Sequence, residues 1–421
     1  MVGVLALVCS GCGRIGFDWL YDHGLVVTTP EDRLAGPDTM SSIDDLTPGT
    51  VGLSLREALV IAANDQGSDL VRFDPRVFPP GSDTPVPLST PLPVTSGEGT
   101  VIDGSRAGVV IDGTALDQAP LQIRADGVRL VGLTITAGST PAVDAQDVRD
   151  LRIEGCSLTS ASASALVVID SEVVDISGTS FTSGANAVEL TGCGAVRFAE
   201  NRIVGPVAEG LHVQGCTDFT VEGNYIEEAG GDLAAFYDCA RVVFQDNFLV
   251  IGDKEAYRGV HFERTGMSRI LDNIIDPGSA RLIDLLESSD NHIEGNILDG
   301  GHAGVVLEGG SNRNMVLRNV AMDCAYDGVY VSADSTGNTY VNNTILRCST
   351  AIANGSPDLV EANNLVSSDN ADFVDPVAYD FRLADGSPSI DAATDMGFDL
   401  LPNDPARFLG AAPDLGAVET R

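Results

Sequence analysis

The sequence predicts an all-β chain: a right-handed parallel β-helix of about eleven coils, with a capping helix at its N-terminal end and a cap at its C-terminal end. Three observations lead there. A bend residue recurs about every 23 residues, first as Gly132, Gly155 and Gly178, then as Asn201, Asn224, Asn247, Asn273, Asn296, Asn319, Asn343 and Asn364. A short apolar run precedes each asparagine by about 13 residues, as in AVEL (187–190), GLHV (210–213), GVHF (259–262), LIDL (282–285) and GVYV (328–331). Composition completes the case: 46 glycines and only 5% aromatic residues suit a thin stacked core better than a thick globular one.

Each repeat holds three short runs of period 2 separated by turn residues, which is the pattern of three strands per coil. A single coil cannot bury its own inner face, so coils must stack. At about 4.8 Å per coil, eleven coils make a rod of roughly 50 Å. The asparagine series is expected to sit at a sharp bend, because asparagine tolerates the left-handed backbone conformation and stacked amides bond along the rod. Counting back from each asparagine places Val188, Leu211, Ala234, Val260, Ile283, Val305 and Val329 in the core.

With these residues in view, the chain resembles the pectate-lyase-like right-handed parallel β-helix superfamily. That resemblance implies the fold and a range of activities, from polysaccharide lyases, glycosidases and epimerases to non-enzymatic adhesins.

The ends carry their own signals. Residues 1–12 read as a lipoprotein signal peptide: an apolar run from Val2 to Val8, then Ser10-Gly11-Cys12, which resembles the end of a lipobox with Cys12 as the lipidated residue. Residues 13–24 read as a linker and 25–98 as an N-terminal cap module. Within it Ser54 and Glu57 form a capping box, and Leu55, Ala58, Leu59 and Ala62 give one apolar helical face. SLREA followed by FDP resembles the N-terminal module of bacterial surface β-helix proteins with an SLREAI-type motif, although Leu53 stands where a cysteine is usual. The β-helix itself spans 99–366. Residues 367–421 resemble a choice-of-anchor-type C-terminal module, through Asp375, Asp380, Arg382, Ser387, Pro388, Asp391, Asp414 and Glu419.

Charge narrows the function. The net charge of −37 disfavours nucleic acid and anionic membrane surfaces, and it is awkward for a polyanionic sugar. The same acidity suits Ca2+ as a bound cation, with a plain solvated acidic surface as the alternative; no cofactor is required by the sequence. Cys193, Cys216 and Cys239 lie one coil apart, as do Cys324 and Cys348, so Cys324 and Cys348 are within range of a disulfide, with a buried thiol ladder as the alternative. Zinc is disfavoured, since past the signal segment there is no CxxC pair.

Chemistry is expected on the strand that follows the irregular 26-residue coil. The residue after each core position should face outward, giving the row Glu189, His212, Ala235, His261, Asp284, Val306 and Tyr330. The next outward row contains Tyr237, Glu263 and Glu308. Two of the five histidines share the first row, with Ala235 leaving a hollow between them. The long turn brings Lys254, the only lysine, with Tyr257 and Arg258. His212, His261, Lys254 and Tyr237 are the candidate catalytic bases; Glu189, Arg258, Glu263 and Asp284 are the candidate substrate contacts. Three functions follow. The first is an exported, lipid-anchored protein of the bacterial outer membrane or cell surface. It would act as a monomer, bind polysaccharide or another surface component, and touch the membrane only through its lipid. The second is a lyase or epimerase on uronate glycans. The third is a structural or adhesive rod.

Overall fold

The computed structural model describes residues 24–64, 70–94, 99–252, 257–276, 278, 280–368, 373–375, 380–393 and 414–416. The signal segment with Cys12, the linker to residue 23, Lys254 and Glu419 lie outside them. The described strands form a parallel β-solenoid of about twelve turns, with one α-helix near the N-terminus. Three parallel sheets of 14, 12 and 13 strands run the length of the rod, and from the second strand to the last coil every third strand of the chain joins the same sheet. The stack begins earlier than residue 99: Leu25–Val27 pairs with Leu70–Phe73, which pairs with Val101–Asp103. This early start accounts for the extra turn.

The predicted core column is fully buried and in register: Val188 pairs with Leu211, Leu211 with Ala234, Ala234 with Val260, Val260 with Ile283, Ile283 with Val305 and Val305 with Val329. The inner space is narrow. Phe198, Phe219, Phe236, Phe244 and Phe262 fill its middle, with Phe236 edge-on to Phe219, Phe244 and Phe262 at 5.2–6.0 Å.

The helix Leu55–Asn64 covers the first coils. Its capping box is formed: the Glu57 amide donates to Ser54 Oγ at 3.1 Å and the Ser54 amide donates to Glu57 Oε2 at 2.8 Å. Leu55, Ala58, Leu59 and Ala62 are buried as their spacing predicts.

The asparagine ladder has a different basis from the one expected. The left-handed residue at each bend is the one before the asparagine: Glu200, Gly223, Asp246, Asp272, Gly295, Arg318, Asn342 and Asn363, with φ between 50° and 70°. Gly132, Gly155 and Gly178 belong to this left-handed column, so they align with Glu200 rather than Asn201. The asparagines act through their side chains. Asn273 donates its backbone amide to Asn296 Oδ1 at 3.0 Å, and Asn296 does the same to Asn319 at 2.9 Å. The Asn296 Nδ2 returns bonds to the Ile270 and Glu294 carbonyls and to Asn319 Oδ1. The ladder runs from the Thr179 amide to Asn364. Every member through Asn343 is buried, where an unpaired amide is costly.

A second bend uses smaller side chains in the same way. The Cys193 amide donates to Cys216 Sγ at 3.2 Å, the Cys239 amide to Thr265 Oγ1, the Thr265 amide to Ser288 Oγ and the Ser288 amide to Ser311 Oγ. Each side chain in turn donates to a carbonyl two or three residues back. Cysteine stands here for serine. This corrects the disulfide expectation: Cys324 and Cys348, like the other four described cysteines, are free thiols, each turned to the carbonyl two residues before it.

The C-terminal segment docks on the flank of the rod. Phe373–Asp375 and Asp380–Leu383 form a small antiparallel pair, and Phe373, Phe381 and Leu383 cover the outward residues Ile297, Val320, Met322 and Leu346 of the 13-stranded sheet. Its described part lies on the side of the rod, and Val360 and Val366 of the last coil are 54% and 59% exposed.

Asn296→Ala is expected to lower stability by about 2–4 kcal/mol, because it strands the Asn273 amide and two carbonyls together. A urea titration measures this; Asn364→Ala, at the half-buried end of the ladder, should cost markedly less.

Candidate functional site

The outward face of the 12-stranded sheet carries three rows of side chains across the middle coils. The first row was predicted and is in register: Glu189 pairs with His212, His212 with Ala235, Ala235 with His261 and His261 with Asp284. Tyr237 and Glu263 pair in the row two residues on. A third row lies two residues before the core position, and sequence reading did not single it out except at Arg258. It runs through Asn186, Glu209, Asp232, Arg258 and Arg281, of which Arg258 and Arg281 pair directly. The signal for it was available: counting two residues back from Val188, Leu211, Ala234, Val260 and Ile283 gives those positions.

The rows form two linked clusters. In the outer one Glu209 is shared. Its Oε2 lies 2.6 Å from His212 Nδ1, and its Oε1 accepts from the Tyr237 hydroxyl at 3.0 Å. The His212 and Tyr237 rings stand side by side, 5.2 Å apart, and Tyr237 is edge-on to His261 at 5.7 Å. Tyr237 thus lies between the two histidine rings, and Ala235 is fully buried, so the hollow expected at Ala235 is closed. Glu189 completes this cluster, accepting from Ser164 Oγ at 2.5 Å and Asn186 Nδ2 at 3.0 Å.

The inner cluster is a buried charge network. Asp284, wholly buried, meets His261 Nδ1 at 2.9 Å, Arg258 Nε at 2.8 Å and Arg281 Nη1 at 2.7 Å. The first two approach Oδ2 off the line of a hydrogen bond, whereas Arg281 donates a true hydrogen bond to Oδ1. Arg258 Nη1 reaches Asp232 at 3.2 Å, and Arg281 Nη1 reaches Glu308 at 2.5 Å. Glu263 Oε2 is 3.6 Å from His261 Nε2. His261 and Asp284 were expected to face solvent; they face outward but are covered by these neighbours.

These contacts set the charges. The Glu209 carboxylate raises His212 above the usual imidazole value, and burial offsets only part of that. Burial, with Glu209 beside it, raises the Tyr237 phenol, which is held neutral and donating. Burial pushes Asp232 up to about 6 despite Arg258. Burial alone would raise Asp284; His261, Arg281 and Arg258 outweigh it and hold the carboxyl below the usual range.

The structure therefore brings His212, His261, Tyr237, Glu189, Arg258, Glu263 and Asp284 to one face. Tyr257, from the long turn, is 72% exposed.

Two family models match parts of the chain. One, described as periplasmic copper-binding protein (NosD), matches residues 195–382, and one described as right-handed β-helix region matches residues 121–250. No curated protein sequence matches the chain. Among solved structures, the chain is similar to the A-module of the mannuronan C-5 epimerase AlgE6 of Azotobacter vinelandii, at 13% identity over 75% of this chain and 96% of that one, with a TM-score of 0.51. It is also similar to the Dettilon tailspike protein, at 14% identity over 80% of this chain and 68% of that one, with a TM-score of 0.53. A third likeness is to the pectate lyase Pel9A, at 14% identity over 94% and 96% of the two chains, with a TM-score of 0.42. At these identities the likeness is one of fold. The class so defined is the right-handed parallel β-helix.

The His212–Glu209 pair gives a pH signature. A raised imidazole pKa contributes stability that is fully present below the unfolded value and is lost as pH rises through the folded value. In an NMR titration His212 is expected to titrate above the usual imidazole value, and Glu209→Gln should lower it. No change on Glu209→Gln would break the assignment.

Proposed function

We propose that this is an exported β-helix protein that binds an uncharged polysaccharide chain along the outward rows of its 12-stranded sheet, without cleaving it. The observation that carries this reading is the half-buried His212–Glu209–Tyr237 group with Glu189 beside it. Adjacent rings offer an apolar surface to the face of a sugar ring, and carboxylates accept from its hydroxyls. The inner charge network fixes this surface from below. Six carboxylates (Glu189, Glu209, Asp232, Glu263, Asp284, Glu308) meet three arginines (Arg258, Arg264, Arg281) and two histidines (His212, His261), so the face keeps an acidic excess that repels a uronate polymer.

The charge states also argue against proton abstraction. A lyase or epimerase needs a base ready to take the proton beside the uronate carboxylate. Glu209 shifts His212 toward its protonated form, and Tyr237 donates its proton to the same carboxylate. The fold shared with an epimerase keeps that activity as the second reading, with His212 and Tyr237 as its acid–base groups.

Copper, which one family description names, does not fit the residues seen. Among the described residues no three His, Cys, Asp or Glu side chains are arranged to hold a metal ion. The Cys193, Cys216 and Cys239 thiols are spent on bend carbonyls. The lipobox-like Ser10-Gly11-Cys12 supports a lipid anchor at the cell surface; fatty-acid labelling should be lost in Cys12→Ser.

Calorimetry with neutral glucans, xylans and mannans, beside alginate and polygalacturonate, tests the reading. A neutral glycan is expected to bind with little salt dependence, and Tyr237→Ala to weaken it about tenfold, or about 1.4 kcal/mol. Release of unsaturated uronate products, or uronate epimerisation, abolished by His212→Ala would replace binding with catalysis.

A further inference from the structure

The exposed tyrosines of this chain are confined to one side of the rod. Among the described tyrosines and phenylalanines, Tyr257, Tyr326 and Tyr330 are the exposed ones, at 72%, 61% and 36%. Tyr330 belongs to the strand Asp327–Val331, and Tyr326 immediately precedes it. Tyr257 immediately precedes the strand Arg258–Glu263. Both strands lie in the 12-stranded sheet, which also carries His212 and Tyr237. The 13-stranded sheet treats its outward rings differently: Tyr225 and Phe248 are half-buried and stack on each other at 5.8 Å, with Arg202 over Tyr225.

Register places these rings along the rod. Arg258 pairs with Arg281, Arg281 with Ala303 and Ala303 with Asp327. The residues just before them, Tyr257, Ala280, His302 and Tyr326, therefore form one column at the edge of the sheet. Backbone bonds follow it: the His302 amide donates to the Ala280 carbonyl at 2.7 Å, and the Tyr326 amide to the His302 carbonyl at 3.0 Å. His302 is exposed, and its ring meets Tyr326 edge-on at 5.5 Å. Tyr330 stands at the far end of the same strand. It pairs with Val306, in the row that runs back through Asp284, His261 and Ala235 to His212. Four coil steps separate it from the coil of Tyr237, a span of roughly 19 Å.

A single exposed apolar residue needs no explanation, whereas rings gathered on one face point to a contact surface. A tyrosine is a stiff apolar plate with a polar tip, so it packs on the face of a sugar ring at small entropic cost. Asp327, half-buried between Tyr326 and Tyr330, places a hydroxyl acceptor there.

We propose that the glycan lies along the rod axis and makes two contacts, one at the His212–Tyr237 group and a second at Tyr326, His302 and Tyr330, so that the protein selects long linear chains over short ones. This rests on the glycan-binding reading of the His212–Tyr237 face. Once the first contact is made, the second forms within the same complex, and affinity rises with chain length. Tyr257, beside Arg258, lies along the path between the two.

Calorimetry on the full chain tests this with three pairs of neutral probes: cellobiose and cellohexaose, xylobiose and xylohexaose, mannobiose and mannohexaose. A disaccharide is shorter than the span, and an extended hexasaccharide covers it. In at least one pair the hexasaccharide is expected to bind about tenfold tighter or more. Tyr326→Ala combined with Tyr330→Ala should return it to the affinity of the disaccharide while the melting temperature holds. Equal affinity within every pair, or a hexasaccharide affinity unchanged in that double variant, would overturn the second contact and leave the His212–Tyr237 reading standing. Hexasaccharide binding that survives Tyr237→Ala intact would overturn the first contact and with it the span. No binding by any probe would overturn both.

Discussion

Each coil of this rod closes its bends with polar atoms that the next coil supplies. Asn296 Oδ1 accepts the Asn273 amide, and its own amide reaches forward to Asn319 and back to Ile270. At the second bend cysteine, threonine and serine repeat the arrangement with one atom each. A bend inside a solenoid has no water to satisfy its backbone, so a neighbour must do so. That constraint fixes the spacing between coils, and with it the register of every outward row.

Register is what assembles the site. The 26-residue coil absorbs its extra residues in the turn before Arg258, and the strand that follows returns to register, with Val260 against Ala234. Because of that return, Arg258 falls beside Asp232 and Asp284, and His261 falls beside Tyr237. A buried carboxylate surrounded by two arginines and a histidine is a rigid base rather than a source of stability, since desolvation opposes the attraction. Above it, Glu209 favours the protonated forms of His212 and Tyr237. The inner cluster sets position and the outer cluster sets charge.

Much of this was legible in the sequence. The repeat, the core column and the capping box of the Leu55 helix follow from apolar spacing and turn residues alone. The outward row of His212, His261 and Asp284 was legible too, because period 2 assigns faces. What covers an outward residue is not written in that period: His261 and Asp284 are buried by side chains from neighbouring rows. The row through Glu209 and Asp232 was missed because only positions after the core residue were read. The asparagine column was taken as the left-handed residue, since glycines at 132, 155 and 178 fall at the same spacing. The step from Gly178 to Glu200 is one residue shorter than the step to Asn201, and only pairing reveals it. The flank docking of Phe373 and Phe381 depends on long-range contacts that no local pattern encodes.

Residue-resolved amide hydrogen exchange tests the central claim most directly. If bends are closed by the neighbouring coil, the backbone amides of Asn247, Asn273, Asn296 and Asn319 exchange only through global unfolding, as slowly as the amides of the core strands. Exchange of these four amides through local opening, well ahead of the flanking strands, would contradict the account.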